Sequence, residues 1–395
     1  MRYTPPRNVH VLLYSKPFFP DMGGLESVSQ TLAEQIVAAG HECTVLTETL
    51  ASPERERAFP FAVARAPSPL RRLQLARSAD IVHSNGAALA LFPYAKLARK
   101  PFLWTHSAYQ MVSIDGAGWA NGEPTPLTPL ASVRWYARKR GIRRAGVDAF
   151  KLGVRRVVGH LVDKNVAITN WVARRQPLPN QVVIYNPFPL GRFKGGPTHP
   201  VRPDHDFLFV GRLVNEKGVE TLLQALAALN SRPGRSPATL LVVGGGGQAR
   251  LESLAASLGI GAQVSFVGSK RDQELLDAIA RGRIAVVPSV LEEPMGGVAL
   301  ELLAAGLPLI VSERGGLAEC TADAAWTFPN GDHAALAEVM GRLLDDERLR
   351  VSKLERAKEV VARFDERRLA QQYLDLYAEI LSRSSRGAEG AATAP

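Results

Sequence analysis

One unit recurs along the whole chain: a short apolar run rich in β-branched residues, a polar or glycine-bearing tip, then a stretch with apolar residues at helical spacing. Asn8-VHVLLYS is followed by a helical pattern over Leu25 to Ala39, with Leu25, Val28, Leu32 and Ile36 on one side and a stop at Gly40. Cys43-TVLT follows at once, and Phe61-AVARA, Asp80-IVHS, Pro101-FLWT, Asn165-VAIT and Gln181-VVIY continue the series. Runs that are apolar throughout, separated by helices, belong in parallel sheets covered on both faces. The alternation breaks at Asn186-PFPLGRFKGGPTHPVRPD, a stretch dense in Pro and Gly, and restarts at Asp206-FLFVG. Ala238-TLLVVG, Gln263-VSFVG, Ile284-AVVP and Pro308-LIVS complete the second series. With 395 residues, 46% of them hydrophobic, the chain can bury two cores, so two doubly wound α/β domains are expected.

Ligands in such sheets collect beyond the carboxyl ends of the strands, so the tips carry the functional information. Ser289 to Leu302, SVLEEPMGGVALEL, lies between a strand and a good helix former. Glu293 falls in its loop and Glu301 eight residues on, about one turn inside the helix. Gly296, Gly297 and Val298, at the helix start, suit a diphosphate, because leading N–H groups attract anions and glycines admit a ligand to the backbone. A carboxylate can accept from two vicinal hydroxyls at once, which suits a ribose or a hexose. Val210-GRLVNEKG-Val219 places Arg212 and Lys217 between another strand end and a helix, two cations where a departing diphosphate gathers charge. Gly23 and Gly24 sit where the loop after the first strand turns. His83 and His106 each stand at a strand tip, where an imidazole can bond a sugar hydroxyl.

Taken together, E-P-x-G-x-x-x-L-E from Glu293 to Glu301, G-R-x(4)-K-G from Gly211 to Gly218 and G-G-x-x-E from Gly315 to Glu319 resemble the motifs of the family 4 glycosyltransferases. The resemblance runs from Phe19 to about Tyr377. It implies the GT-B fold: two Rossmann-like domains facing across a cleft, with the last helix, carrying Leu369, Tyr373 and Leu376, crossing back to the first domain. It implies retaining transfer of a hexosyl unit from a nucleotide diphosphate sugar to a hydroxyl of a glycan or glycolipid, in cell-surface polysaccharide or lipopolysaccharide synthesis. In that picture Arg212, Lys217 and the helix start at Gly297 hold the diphosphate, Glu301 orders the ribose, and Glu293 with His106 positions the sugar. The glycine pair Gly23 and Gly24 lies near the sugar, Gly244 lies against the donor, and backbone groups of Phe266 and Val267 read the edge of the base. Met295 and Gly297 stand where the family often has Phe and a bulky residue, which alters the sugar pocket. No cofactor and no divalent metal are called for, since two cations and a helix start already meet the charge of the diphosphate.

Gly244-x-Gly246-x-x-Ala249 also satisfies a dinucleotide fingerprint, but the next strand ends Phe266-Val267-Gly268 without the acid that NAD binding needs. The expected domains are 1–188 with a returning helix over 366–383, a linker over 189–205, and a nucleotide-sugar domain over 206–365. The small, polar residues 384–395 are expected to be disordered. Ser107 to Leu130 reads as a long Gly- and Pro-rich loop.

The net charge of +10 favours an anionic partner. Arg134 to Arg156 reads as one helix with nine basic residues against a single acid, Asp148. It can lie on an anionic leaflet and present a lipid-linked acceptor. Alternatively it is a solvated surface helix with Phe150, Val154, Val157 and Leu161 packed inward. No nucleic-acid motif accompanies the charge. Two cysteines without metal-ligand spacing and no apolar run of membrane-spanning length fit a cytoplasmic protein, peripheral at most on the inner face of the plasma membrane. A GT-B epimerase or phosphorylase, or a non-catalytic binder of membranes or polyanions, are the alternatives.

Overall fold

The computed structural model describes residues 8–21, 23–52, 54, 57–86, 89–120, 122–194 and 202–392. The chain divides into two compact units, one comprising Met1–Gly118, Thr125–Pro189 and Phe364–Pro395, the other Trp119–Pro124 and Leu190–Arg363. The expected linker over 189–205 thus begins at the boundary between Pro189 and Leu190. A short 3-10 helix, Leu190–Phe193, already belongs to the second unit, and 195–201 lie outside the described residues.

The first unit is built on strands β1 (His10–Ser15), β2 (Glu42–Thr47), β3 (Ala62–Arg65), β4 (Ile81–Asn85) and β5 (Phe102–His106). The two-residue strands β6 (Trp119–Ala120) and β7 (Glu123–Pro124), which pair antiparallel, belong to the second unit, and β8 (Lys164–Ala167) and β9 (Gln181–Val183) complete the first. The sheet order is β3-β2-β1-β4-β5-β8-β9, all parallel. Side chains alternate across a strand, and β1 shows both faces buried. Val11 and Leu13 join one cluster with Leu32 and Ile36, while Leu12 and Tyr14 join another with Phe102 and Trp104. That is why β1 reads as a continuous apolar run.

The final helix, Glu366–Ala392, belongs to this unit, as expected. Leu369, Tyr373, Leu376 and Ile380, at helical spacing, are buried, and Tyr373, Leu376 and Ile380 pack into the cluster with Val11 and Leu13. Two hydroxyls on it also find partners. The Tyr377 hydroxyl meets His83 Nδ1 at 2.7 Å, and the Tyr373 hydroxyl lies 3.4 Å from Thr105 Oγ1. The expected disordered tail differs: the backbone stays helical through Ala392, since extending a formed helix needs no new nucleus, and 393–395 lie outside the described residues.

Two other expectations are corrected. The basic stretch is two helices, Pro129–Arg140 and Ile142–Leu161, divided at Gly141, whose φ of +83° no right-handed helix continues through. The long loop after β5 is organised around one carboxylate. Asp115 accepts hydrogen bonds from Thr125 Oγ1 at 2.6 Å, Ser113 Oγ at 2.8 Å, Tyr136 Oη at 3.0 Å and the N–H groups of Ala117 and Gly118 at 2.6 Å. Burial pushes its pKa up, but the bonds from Thr125, Ser113 and the two N–H groups outweigh this and hold the carboxyl below its ordinary range.

The second unit holds β10 (His205–Val210), β11 (Leu240–Val243), β12 (Val264–Phe266), β13 (Gly282–Val287), β14 (Leu309–Ser312) and β15 (Trp326–Phe328). The last is an edge strand that its single exposed-buried alternation left unread in the sequence. The order β12-β11-β10-β13-β14-β15, all parallel, reverses direction between β10 and β13. Chains leaving these two neighbours run to opposite sides and leave a crevice at their carboxyl ends.

Candidate functional site

The crevice between β10 and β13 is where the sequence motifs meet. After β10 the chain makes a 3-10 turn, Asn215–Lys217, before the helix Val219–Asn230. After β13 it runs through Pro288 to Met295 before the helix Gly297–Ala304. Lys217 Nζ lies 2.6 Å from Glu293 Oε1, so one ion pair joins the two loops that diverge at the reversal point. The side chains keep 24% and 12% of their surface exposed, enough for a ligand to compete for either. Ser289 Oγ donates to the same Glu293 oxygen.

The loops approach closely because Gly218 has no side chain. Its φ is +72°, and a Cβ there would fall 1.9 Å from the carbonyl oxygen of Pro288. The Glu216 carbonyl accepts the Val290 N–H at 3.1 Å, fixing the approach from the other side. Gly315 does the same for Glu293 itself. At φ +112° it lets the chain after β14 lie on the Glu293 backbone, where a Cβ would sit 2.7 Å from Glu293 N, and the Gly316 N–H donates to Glu293 O at 2.6 Å. The G-G-x-x-E segment thereby acts as a clamp on the acidic loop. Asn330 Nδ2 adds bonds to the carbonyls of Ser289 and Leu291 at 3.2 and 3.3 Å.

The helix Gly297–Ala304 opens at this spot. Its first N–H to bond back is that of Leu300, to Gly296 O at 3.0 Å, which leaves the N–H groups of Gly297, Val298 and Ala299 without an intrahelical acceptor. Met295 is buried beside the helix start. Glu301, one turn in, is paired with Arg192 Nη2 at 3.4 Å, an arginine that sequence reasoning missed because it falls in the segment taken for a linker. Burial raises the pKa of Glu301 above the ordinary carboxylate value, with the Arg192 charge and hydrogen bond pulling the other way.

The remaining residues divide. Arg212 is on the same loop as Lys217 but its side chain is 73% exposed, and its ion pair to Glu216 spans 4.0 Å. Gly211 and Gly244 lie back to back, a Cβ on Gly244 falling 1.7 Å from Gly211 O. Phe266 packs against the core, and the Val267 N–H is taken by the Val242 carbonyl at 3.1 Å. At this strand end, base recognition by that N–H is therefore not available. Among the described residues no group of three or more His, Cys, Asp or Glu could hold a metal ion.

Gly23, Gly24, His83 and His106 belong to the first unit. Gly23 and Gly24 are exposed at the start of the helix Gly24–Ala38, and a Cβ on Gly24 would meet nothing within 4 Å. His83 has both ring nitrogens occupied, Nδ1 by the Tyr377 hydroxyl and Nε2 by Thr105 Oγ1 at 2.8 Å. It is a structural residue. His106, expected to face a sugar from its strand tip, has no exposed surface. Its ring lies against Trp104, Nε2 meets Asn165 Oδ1 at 2.8 Å, and Nδ1 is buried without a hydrogen-bond partner. Burial pushes the pKa of His83 down to about 3 and that of His106 to about 4, so both rings are neutral.

Residues 22–192 match the family model described as Glycosyltransferase Family 4, and residues 199–360 match Glycosyl transferases group 1. The chain is similar to a D-inositol 3-phosphate glycosyltransferase of Corynebacterium urealyticum, 34% identical over 180 residues, 44% of this chain and 42% of that protein. It thus spans less than half the length of that relative. A protein of the same name from Saccharomonospora viridis is 27% identical over 322 residues, 77% of this chain and 70% of the relative. Among solved structures, Anabaena Alr3699/HepE in complex with UDP and glucose has a similar fold, with a TM-score of 0.71 at 17% identity over 94% of this chain and all of that one.

Proposed function

Since the chain belongs to the family 4 glycosyltransferases, we propose that it moves a hexosyl unit, with retention, from a nucleotide diphosphate sugar to a hydroxyl of a glycan or glycolipid acceptor. The observation that carries this reading is the Lys217–Glu293 pair at the strand-order reversal, beside the open N–H groups of Gly297 and Val298. A cation and a helix start at one point suit a diphosphate that gains charge as the glycosidic bond breaks. A carboxylate in contact with that cation is placed to bond the hydroxyls of the sugar attached to it. Arg212, free to swing, adds a second positive charge. Glu301 takes the ribose hydroxyls, exchanging Arg192 for two vicinal donors. His106, buried within the first unit, has no part in this reading.

With these cations present, the diphosphate is neutralised by the protein's own side chains, and no divalent metal is needed in the proposal. The acceptor class fits cell-surface polysaccharide or lipopolysaccharide assembly. The test is nucleotide release from a panel of UDP-, GDP- and ADP-sugars, with and without a lipid and glycan extract, in buffer with and without EDTA. Release from one donor that rises with extract and ignores EDTA is expected. No release from any donor, with no thermal shift from any nucleotide, would remove the transferase reading.

A further inference from the structure

The helix Ile142–Leu161 shows the protein a face of small and apolar residues, with Ala145, Leu152, Val158 and Gly159 buried. A second apolar face points away. Val147, Phe150, Val154, Val157 and Leu161 are 55%, 72%, 37%, 59% and 56% exposed. At 100° per residue these five fall within an arc of about 80°, an unbroken stripe roughly 21 Å long. The inward packing that the sequence allowed for Phe150, Val154, Val157 and Leu161 is thus not what the fold adopts. A solvated helix has no use for such a stripe, since its residues gain nothing until something covers them.

The charges around the stripe say what covers it. Of the nine basic residues between Arg134 and Arg156, two are turned inward. Arg156 Nη1 donates to Met111 O at 3.0 Å and Arg155 Nη2 to Ile114 O at 3.0 Å, and both hold the loop around Asp115. The other seven are exposed. Arg143, Arg144 and Lys151 share the helix with the stripe, and Arg134, Arg138, Lys139 and Arg140 lie on the helix Pro129–Arg140 that packs beside it. The one acid, Asp148, lies 4.0 Å from Lys151 and also acts on the inward-turned Arg155. A second copy docking through the same face would bring like charges together around a shared apolar seam, which is repulsive. An anionic bilayer supplies both complements, acyl chains for the stripe and lipid phosphates for the arginines.

We infer that the first unit docks on anionic lipid by laying the helix Ile142–Leu161 in the interface, with Phe150, Val154 and Val157 inserted and Arg143, Arg144 and Lys151 on the headgroups. This goes beyond the proposed reaction and does not depend on it, because vesicle binding is read without donor or acceptor. The full chain is co-sedimented with vesicles of phosphatidylglycerol and phosphatidylcholine, and with phosphatidylcholine alone.

Wild type is expected on the anionic vesicles only. Arg143→Glu, Arg144→Glu and Lys151→Glu combined should lower the partition coefficient at least about a hundredfold. Phe150→Ser with Val157→Ser should lower it at least about tenfold. All five positions are exposed, so folding and the thermal shift from nucleotide should persist in both variants. The proposal is overturned if wild type ignores anionic vesicles or if both variants bind as wild type does. It is equally overturned if the chain is a dimer in solution that Phe150→Ser with Val157→Ser dissolves, which would make a second copy the occupant.

Discussion

Lys217 and Glu293 neutralise each other across the reversal point, so a diphosphate arriving there must compete with Glu293 for the ammonium group. This makes the two single substitutions differ in sign. A charge-assisted hydrogen bond 2.6 Å long between side chains 24% and 12% exposed contributes more than a surface pair and less than a fully buried one. Lys217→Met and Glu293→Gln should each lower unfolding free energy by about 2 kcal/mol, with a coupling of about 1 kcal/mol in the double variant. For ligand binding the effects separate. Lys217→Met loses a phosphate contact and should weaken nucleoside diphosphate affinity at least tenfold, about 1.4 kcal/mol or more. Glu293→Gln removes the competitor and should strengthen that affinity by up to about tenfold, while kcat/KM for transfer falls at least about a hundredfold because the sugar has lost its acceptor carboxylate. Calorimetric titration with the diphosphate of the active donor, urea unfolding and initial rates measure the three quantities. If Glu293→Gln weakens diphosphate binding as much as Lys217→Met does, the competition argument is refuted.

Three further outcomes are expected. Gly218→Ala should cost about 3 kcal/mol or more and abolish nucleotide binding, whereas Gly259→Ala, at the same φ of +72° but with nothing within 4 Å, should cost only about 1 kcal/mol; equal losses on thermal unfolding would show that the Pro288 contact is not the reason. His83 and His106 are held neutral, with pKa values of about 3 and about 4 against 6.5 when unfolded, so unfolding takes up protons below pH 6.5 and stability falls as pH falls. The slope should reach about 2.7 kcal/mol per pH unit from the two rings, and His83→Asn should halve it between pH 6 and 5 in denaturant titrations; an unchanged slope rejects the assignment. Tyr377→Phe strands His83 Nδ1 and should cost about 1–3 kcal/mol without changing nucleotide affinity, and a loss of affinity would contradict its purely structural role.

The parallel sheets were legible because buried strands must be apolar throughout, and Val11 to Tyr14 or Leu240 to Val243 admit no other reading. The loops bearing Lys217 and Glu293 were placed correctly at strand ends for the same reason. What stayed hidden depends on distance in the chain. Nothing local to Arg192 announces Glu301, 109 residues on, and nothing in the sequence near Gly315 reports that its Cβ would strike Glu293. His106 was misjudged on orientation, since a strand tip fixes where a residue stands but not how deep its ring lies. The stripe from Val147 to Leu161 shows the limit of periodicity. Spacing reveals that a helix has an apolar face, and only packing reveals that Ala145, Leu152 and Val158 hold the protein while Phe150 does not.

The returning helix has a consequence for synthesis. Ribosomes deliver the amino-terminal strands long before the last helix, yet the hydrophobic cluster holding Val11, Leu13 and Leu103 is closed by Tyr373, Leu376, Tyr377 and Ile380. The half that emerges first must therefore wait with part of one sheet face bare beside Leu32 and Ile36, and with His83 lacking a partner for Nδ1, while residues 190–363 emerge and fold behind it. Order of birth and order of completion are reversed. Nascent chains stalled before Tyr373 should present that uncovered face to trigger-factor-like chaperones, and release of the last helix from the exit tunnel is the event that ends the exposure.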